Sequence, residues 1–172
     1  MDKVYNIKYV DAYYTYAKDI KETRLPLHEA YGYVERNGGN VVIIFIKKRG
    51  TDIKRSMDKK EPIVKGLIIP DAALIPVAET SSVDMLKDIA VGTSVTVVWR
   101  DVISVANMPI YECSVMHSKG ALYRIGNDHV VLKEPETMRM SPAPIRNHPK
   151  SGERPTYLMI PTSFITDITI TK

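Results

Sequence analysis

A single cysteine, Cys113, leaves no partner for an intrachain disulfide and no cysteine cluster for a metal. A reducing, cytoplasmic location is the default expectation. Long apolar runs are also missing. None approaches the roughly 20 residues of a membrane-spanning helix. The opening residues, MDKVYNIKYVDAYY, have no apolar centre of signal-peptide type, which agrees with that expectation. Histidine is scarce: His28, His117, His129 and His148 are scattered, without ligand spacing such as His-x-x-x-His. Cys113 and His117 would share one face of a strand but lie about 13 Å apart, too far for a nucleophile and its base. A small buried cysteine is expected there. No glycine loop of phosphate-binding type occurs, and Gly38-Gly39-Asn40 reads as a hairpin tip. Asp84 and Asp88 read as a solvated helical face. An enzyme has no residue set behind it, and no metal or cofactor is expected.

What is present is strand. Val41–Ile46, Val95–Val98, Val130–Leu132 and Ile165–Ile170 are rich in β-branched residues. Asn37-Gly38, between Tyr31–Arg36 and Val41–Ile46, is a strong hairpin signal because such turns need positive φ. Gly126-Asn127-Asp128 occupies the same place later in the chain. One short helix is expected at Val83–Ile89, capped by Ser81 and Ser82, with Met85, Leu86 and Ile89 on one stripe.

The chain also repeats itself. Residues 16–29 (YAKDIKETRLPLHE) echo 99–112 (WRDVISVANMPIYE), 34–43 echo 122–132, and LIIPDAALIPV (67–77) echoes LMIPTSFITDI (158–168). The offset climbs from 82 (Asp19 to Asp101) to 91 (Pro70 to Pro161). A period this long points to a duplicated domain rather than a solenoid, whose repeats run about 20–50 residues. Units of this size bury modest cores and need support from each other or from other subunits. The expected units are 1–78 and 79–172.

The net charge is +4 and is concentrated. Lys47, Lys48, Arg49, Lys54, Arg55, Lys59 and Lys60 face only three acids between positions 47 and 61, which accounts for the whole excess. Such a stripe attracts polyanions at long range; alternatively it is a solvated loop. A second long connection, Lys133–Pro155, holds five of the eleven prolines and the bases Lys133, Arg139, Arg146, Lys150 and Arg154. Proline removes ladder donors, so this stretch is expected to be an extended, mobile excursion rather than an interior strand. Both connections fall between the third and fourth strands of their units. The N-terminal tyrosines (Tyr5, Tyr9, Tyr13, Tyr14, Tyr16) read as strand packing or, beside bases, as stacking platforms.

The run Val83–Ile89, then Gly92, then Val95, Val97, Trp99 and Asp101, resembles the opening of the Sm-like (Sm/Lsm/Hfq-type) small β-barrels. VVL at 130–132 is similar to that family's third strand. Leu158–Pro161 with Ile165 and Ile168 is similar to its last two strands and the tight turn between them. The first unit resembles it more weakly through Asp19, the 37–38 hairpin, VVIIFI and LIIPDAALI. No glycine follows Asp101 or Asp19. The family's Arg-Gly pair is replaced by Ile160-Pro161 and Ile69-Pro70.

The resemblance implies a mainly β chain of two tandem SH3-like, Sm-like small barrels, with one short helix before the second. It implies a nucleic-acid-binding protein, RNA more than DNA, and a homo-oligomer such as a ring of three chains presenting six barrels. A closed two-barrel monomer of Tudor or KOW type is the structural alternative. Expected phosphate contacts are the seven bases of 47–60, then Arg139, Arg146, Lys150 and Arg154. Arg36 and Arg124, taken as equivalent on the repeat, sit beside the hairpin tips, and Asn127, with Asn37 or Asn40, falls near the family's nucleotide-contacting loop or serves as an ordinary turn residue. The rival reading is a ring-forming structural or adaptor protein, of cellular or viral origin, binding protein partners.

Overall fold

The computed structural model describes residues 4–37, 40–45, 47–48, 51–52, 65–74, 86–106, 113–141, 145–146 and 154–171. The chain is mainly β. Its strands are β1 (Val4–Val10), β2 (Tyr13–Thr15), β3 (Leu27–Asn37), β4 (Asn40–Phe45), β5 (Lys47–Lys48), β6 (Thr51–Asp52) and β7 (Lys65–Pro70). They continue with β8 (Ser94–Asp101), β9 (Ile103–Ala106), β10 (Ser114–Ile125), β11 (His129–Ser141), β12 (Ile145–Arg146), β13 (Tyr157–Pro161) and β14 (Ile165–Ile170). Two open antiparallel sheets result, ordered β1-β3-β4-β7-β9 and β14-β8-β10-β11-β13-β2. β12 adds to β11, and β5 pairs β6.

The described residues of the expected strand runs lie in strands, Ile46 falling outside the described residues, and both strand pairs of the expected hairpins form. In the first, Asn37 faces Asn40 across the turn. In the second, the Gly126 N–H donates to the His129 carbonyl at 2.8 Å. Alternation does the work in β8: Val95, Val97 and Trp99 are buried, and the residues between them are half-buried, as a period of two requires. β13 is buried along its whole length. Leu158 and Ile160 face the main core. Tyr157 and Met159 face a smaller cluster with Val131 and with Ile20, which comes from the segment after β2. A strand covered on both faces reads as an unbroken apolar run.

The two sheets are traversed in the same way, β1-β3-β4-β7 and β8-β10-β11-β13, and their registers coincide. Val10 faces Leu27 as Arg100 faces Val115. Val41 faces Ile69 as Val130 faces Ile160. Pro70 and Pro161 each lead into a 3-10 turn, Asp71–Ala73 and Thr162–Phe164, with proline φ of −58° and −55°. The Tyr9–Leu74 bridge after the first turn matches the Trp99–Ile165 pair after the second.

This register corrects the sequence alignment. Tyr9-Val10-Asp11-Ala12 is the counterpart of Trp99-Arg100-Asp101-Val102, so Asp11, not Asp19, answers Asp101. Residues 16–26 form no strand and connect β2 to β3. Similar residue types produced the earlier match; hydrogen-bond pairing overrules it.

Each half also donates a strand to the other. β2 pairs β13, with Tyr13 opposite Met159 and Tyr14 opposite Leu158. β9 pairs β7, with Ile103 opposite Ile68 and Ser104 opposite Leu67. The two exchanges are register-equivalent. A boundary at 78/79 therefore divides the sequence but not the sheets. One core runs through both halves, from Tyr9, Leu67 and Ile69 to Val97, Trp99 and Phe164.

Two further expectations change. The helix at 83–89 is not formed as a seven-residue element. Residues 83–85 lie outside the described residues, Leu86 is in a 3-10 turn, and Lys87–Asp88 are turn. The Ile89 N–H donates to the Leu86 carbonyl at 3.2 Å; Leu86 is buried and Ile89 half-buried. Gly92 follows with φ of +93°, a conformation open to glycine at little cost.

The proline-rich connection begins as strand, contrary to expectation: β11 continues through Pro135 to Ser141. A bulge accommodates the proline. Lys119 faces Glu136 and Ala121 faces Lys133, so Gly120 stands opposite both Glu134 and Pro135. Glu134 takes the left-handed φ of 51°. The extra residue leaves Pro135 outside the ladder, where its missing N–H costs nothing.

Candidate nucleic-acid interface

Both basic connections leave their sheets at corresponding points, between β4 and β7 and between β11 and β13. The first opens as a small hairpin, Lys47 opposite Asp52 and Lys48 opposite Thr51. Arg49, Lys54, Arg55, Lys59 and Lys60 lie outside the described residues, as does Lys150. Arg36 and Asn37 are the last residues of β3, opposite Val41 and Asn40.

The second connection gathers its bases along one stretch of β11. Ile145 pairs Arg139 and Arg146 pairs Met138. Arg154 Nη1 donates to Glu136 Oε1 at 3.0 Å, with both side chains mostly exposed. Glu136 also faces Lys119 across the β10–β11 pair. Arg139, the backbone of Arg146 and the Arg154 guanidinium thus all lie at residues 136–139 of β11. Met138 and Met140 are exposed on the same strand.

Arg124 has a different place. Leu122 faces Leu132 while Arg124 faces Val131, so Tyr123 is an extra residue on β10. In the first half Val34 faces Ile43 and Glu35 faces Val42 without a bulge. Arg124 therefore corresponds to Glu35, and the expected equivalence with Arg36 fails by one residue. A one-residue shift also reverses the face. The Arg124 guanidinium donates through Nη2 to the Glu22 carbonyl at 2.5 Å, tying residues 16–26 onto the sheet. Tyr157 holds the same segment through its hydroxyl and the Lys18 carbonyl, 3.3 Å away. Asn127 is exposed at the tip of the β10–β11 turn.

The tyrosines divide by environment. Tyr9 is buried and stacks on His28 at 5.4 Å. The Tyr13 hydroxyl donates to Glu22 Oε1 at 3.0 Å. Tyr5 and Tyr16 are exposed. Tyr123, overlooked in the sequence, is 41% exposed and leans on Tyr157 with ring centres 4.8 Å apart.

A second arrangement was not found from the sequence. Asp11 stands between β1 and β2, and its counterpart Asp101 ends β8 just before β9. Their carboxyls hydrogen-bond each other. The Ala12 N–H donates to Asp11 Oδ1 at 2.8 Å, and the Val102 N–H donates to Asp101. Burial first, and then the charge of Asp11, pushes the Asp101 carboxyl well above the usual carboxylate range. Burial also raises Asp11, opposed by the Ala12 N–H, the Asp101 hydrogen bond and the charge of His28. Of the two, Asp101 is the carboxyl raised further, which favours the shared proton on that side. The available signal was the aromatic-x-Asp-apolar pattern in Tyr9–Ala12 and Trp99–Val102. Nearby, burial pushes the Cys113 thiol up to about 12, despite the opposing charge of Arg100.

Among the described residues no group of three or more His, Cys, Asp and Glu is placed to hold a metal ion, and no helix is long and apolar enough to cross a membrane. Comparison with protein-family models, with curated proteins and with solved structures gave no match.

Proposed function

We propose that the chain is a non-enzymatic nucleic-acid-binding protein made of two small Sm-like barrels, and that its basic excursions grip the phosphate backbone. The observation that carries this reading is the matched departure of two basic connections from equivalent strand junctions. One short accidental charge run would not recur at the symmetry-related place. Lys47, Lys48, Arg49, Lys54, Arg55, Lys59 and Lys60 supply the first set of contacts. Arg139 on β11, Arg146 on β12 and Arg154, paired with Glu136, supply the second with Lys150. Contacts of this kind set affinity rather than sequence choice. RNA is favoured over DNA only by the sequence resemblance to Sm-like barrels.

The test is a binding titration against single-stranded RNA and duplex DNA at several salt concentrations. Log K should fall linearly with log salt, by about 0.7–0.9 per phosphate neutralised. Absence of binding at low salt, or binding indifferent to salt, ends this reading. The adaptor reading, with protein partners on the basic loops, predicts purified protein free of nucleic-acid absorbance. A ring of chains built through the fourth strands would need the outer edges of β7 and β13, which β9 and β2 occupy along much of their length. Light scattering measures the oligomer directly.

A further inference from the structure

Asp11 and Asp101 touch although they are counterparts in the two halves. A residue contacts its own equivalent only on the symmetry axis that relates the copies. Ala72 and Ser163 do the same, Ser163 Oγ donating to the Ala72 carbonyl at 3.0 Å. The axis therefore passes through the carboxyl pair and between the two 3-10 turns. The pair also sits where the chain leaves one sheet for the other: β1 gives way to β2 at Asp11, and β8 to β9 at Asp101.

We propose that the Asp11–Asp101 pair is a proton-gated latch on the strand exchange. With one proton shared, the two crossing segments are joined by a carboxyl–carboxylate hydrogen bond. When that proton leaves, two negative charges face each other at the crossing, and β2 and β9 loosen from β13 and β7. Among the described residues, the titratable and charged groups around the pair come from β1, β3, β8 and the residue before β10. Tyr9 on β1 stacks on His28 of β3, which contributes its charge to Asp11. Arg100 on β8 and Cys113 before β10 interact with each other and lie within the pair's field. The positive charges of Arg100 and His28 moderate the repulsion but do not replace the proton that joins the two carboxyls.

The sign follows from linkage. Both carboxyls are raised in the folded state, so the folded chain holds more protons than the open one. The stabilisation is complete below the ordinary Asp value of 3.8 and is lost as pH rises through the folded-state value. One linked proton changes an opening equilibrium by up to about tenfold per pH unit inside that window.

The experiment is amide hydrogen exchange of the full chain from pH 5 to pH 8, corrected for intrinsic exchange chemistry. Opening of 13–15 and 103–106 should grow with pH, and opening of the β8–β10 pair should not. Asp101→Asn supplies an amide donor to Asp11 and should flatten the profile. If that variant does not fold, Asp11→Asn serves: it removes the neighbouring charge and should shrink the rise. His28→Gln should preserve the rise. The proposal is overturned by a flat wild-type profile, by an undiminished rise in the Asn variants, or by its disappearance in His28→Gln.

Discussion

Trp99 Nε1 donates to Ser118 Oγ at 2.9 Å, and Ser118 Oγ is in turn 2.8 Å from Thr137 Oγ1. This chain of polar groups crosses β8, β10 and β11 in the buried interior. It fixes the largest core side chain to the sheet that carries the second basic connection. A buried donor left without its acceptor costs more than the bond itself contributed.

Ser118→Ala removes the acceptor for Trp99 and the partner for Thr137 together. The expected loss of stability is about 1–3 kcal/mol, read as a lower midpoint in urea denaturation. Adding Trp99→Phe should cost less in the Ser118→Ala background than in the wild type, because the stranded N–H is then gone. Equal costs in the two backgrounds would show that the pair is not coupled.

Gly120 has no room for a side chain. A Cβ there would stand 2.9 Å from the Lys133 carbonyl oxygen and 3.4 Å from the Pro135 Cα, both backbone. Gly120→Ala should therefore disturb the bulge that seats Pro135 and destabilise by about 1–3 kcal/mol. Thermal unfolding measures it, and an unchanged midpoint would mean the bulge relaxes freely.

Arg124 separates a structural base from a ligand-binding one. Arg124→Ala should lower stability by about 1.5–3 kcal/mol through the lost bond to Glu22 and leave the salt slope of binding unchanged. Lys47→Ala with Lys48→Ala should do the reverse: little change in stability, and a salt slope smaller by about 1.4–1.8 for two lost phosphate contacts.

Cys113, with its thiol pushed up to about 12, stays protonated near neutral pH, and the thiolate is the reactive form. A disulfide reagent should label it slowly in the native protein and quickly after denaturation. Rapid native labelling at pH 7 would contradict the burial.

Much of the fold was legible because its signals are local. β-branched runs mark β4, β8, β11 and β14. The Asn-Gly chemistry at 37–39 and 126–128 marks the hairpins. A proline between an apolar strand and a short turn marks both Pro70 and Pro161. The expectation for 133–155 failed over 133–141 (residues 142–144 and 147–153 lie outside the described residues). A bulge there excuses Pro135, and the partner that makes the bulge, Gly120, comes from another strand. The same limit applies to the site. The repeat singled out Arg124 as the equivalent of Arg36 but could not foresee the extra residue at Tyr123 that turns it toward Glu22. The acid pair was hidden because Asp11 and Asp101 become neighbours only across the symmetry axis.

Sequence by itself determined that the chain is mainly β, where the principal strands lie, and that its positive charge is concentrated in two long connections. These follow from backbone preference and composition, which act over a few residues. Tertiary structure alone decided which strand pairs with which. Tyr13–Thr15 and Ile103–Ala106 are too short to specify a partner, and their choice of the opposite half depends on burying β13 and β7 between covered neighbours. Strand partners are chosen by long-range burial and register, and residues so far apart in the chain leave no local mark of that choice.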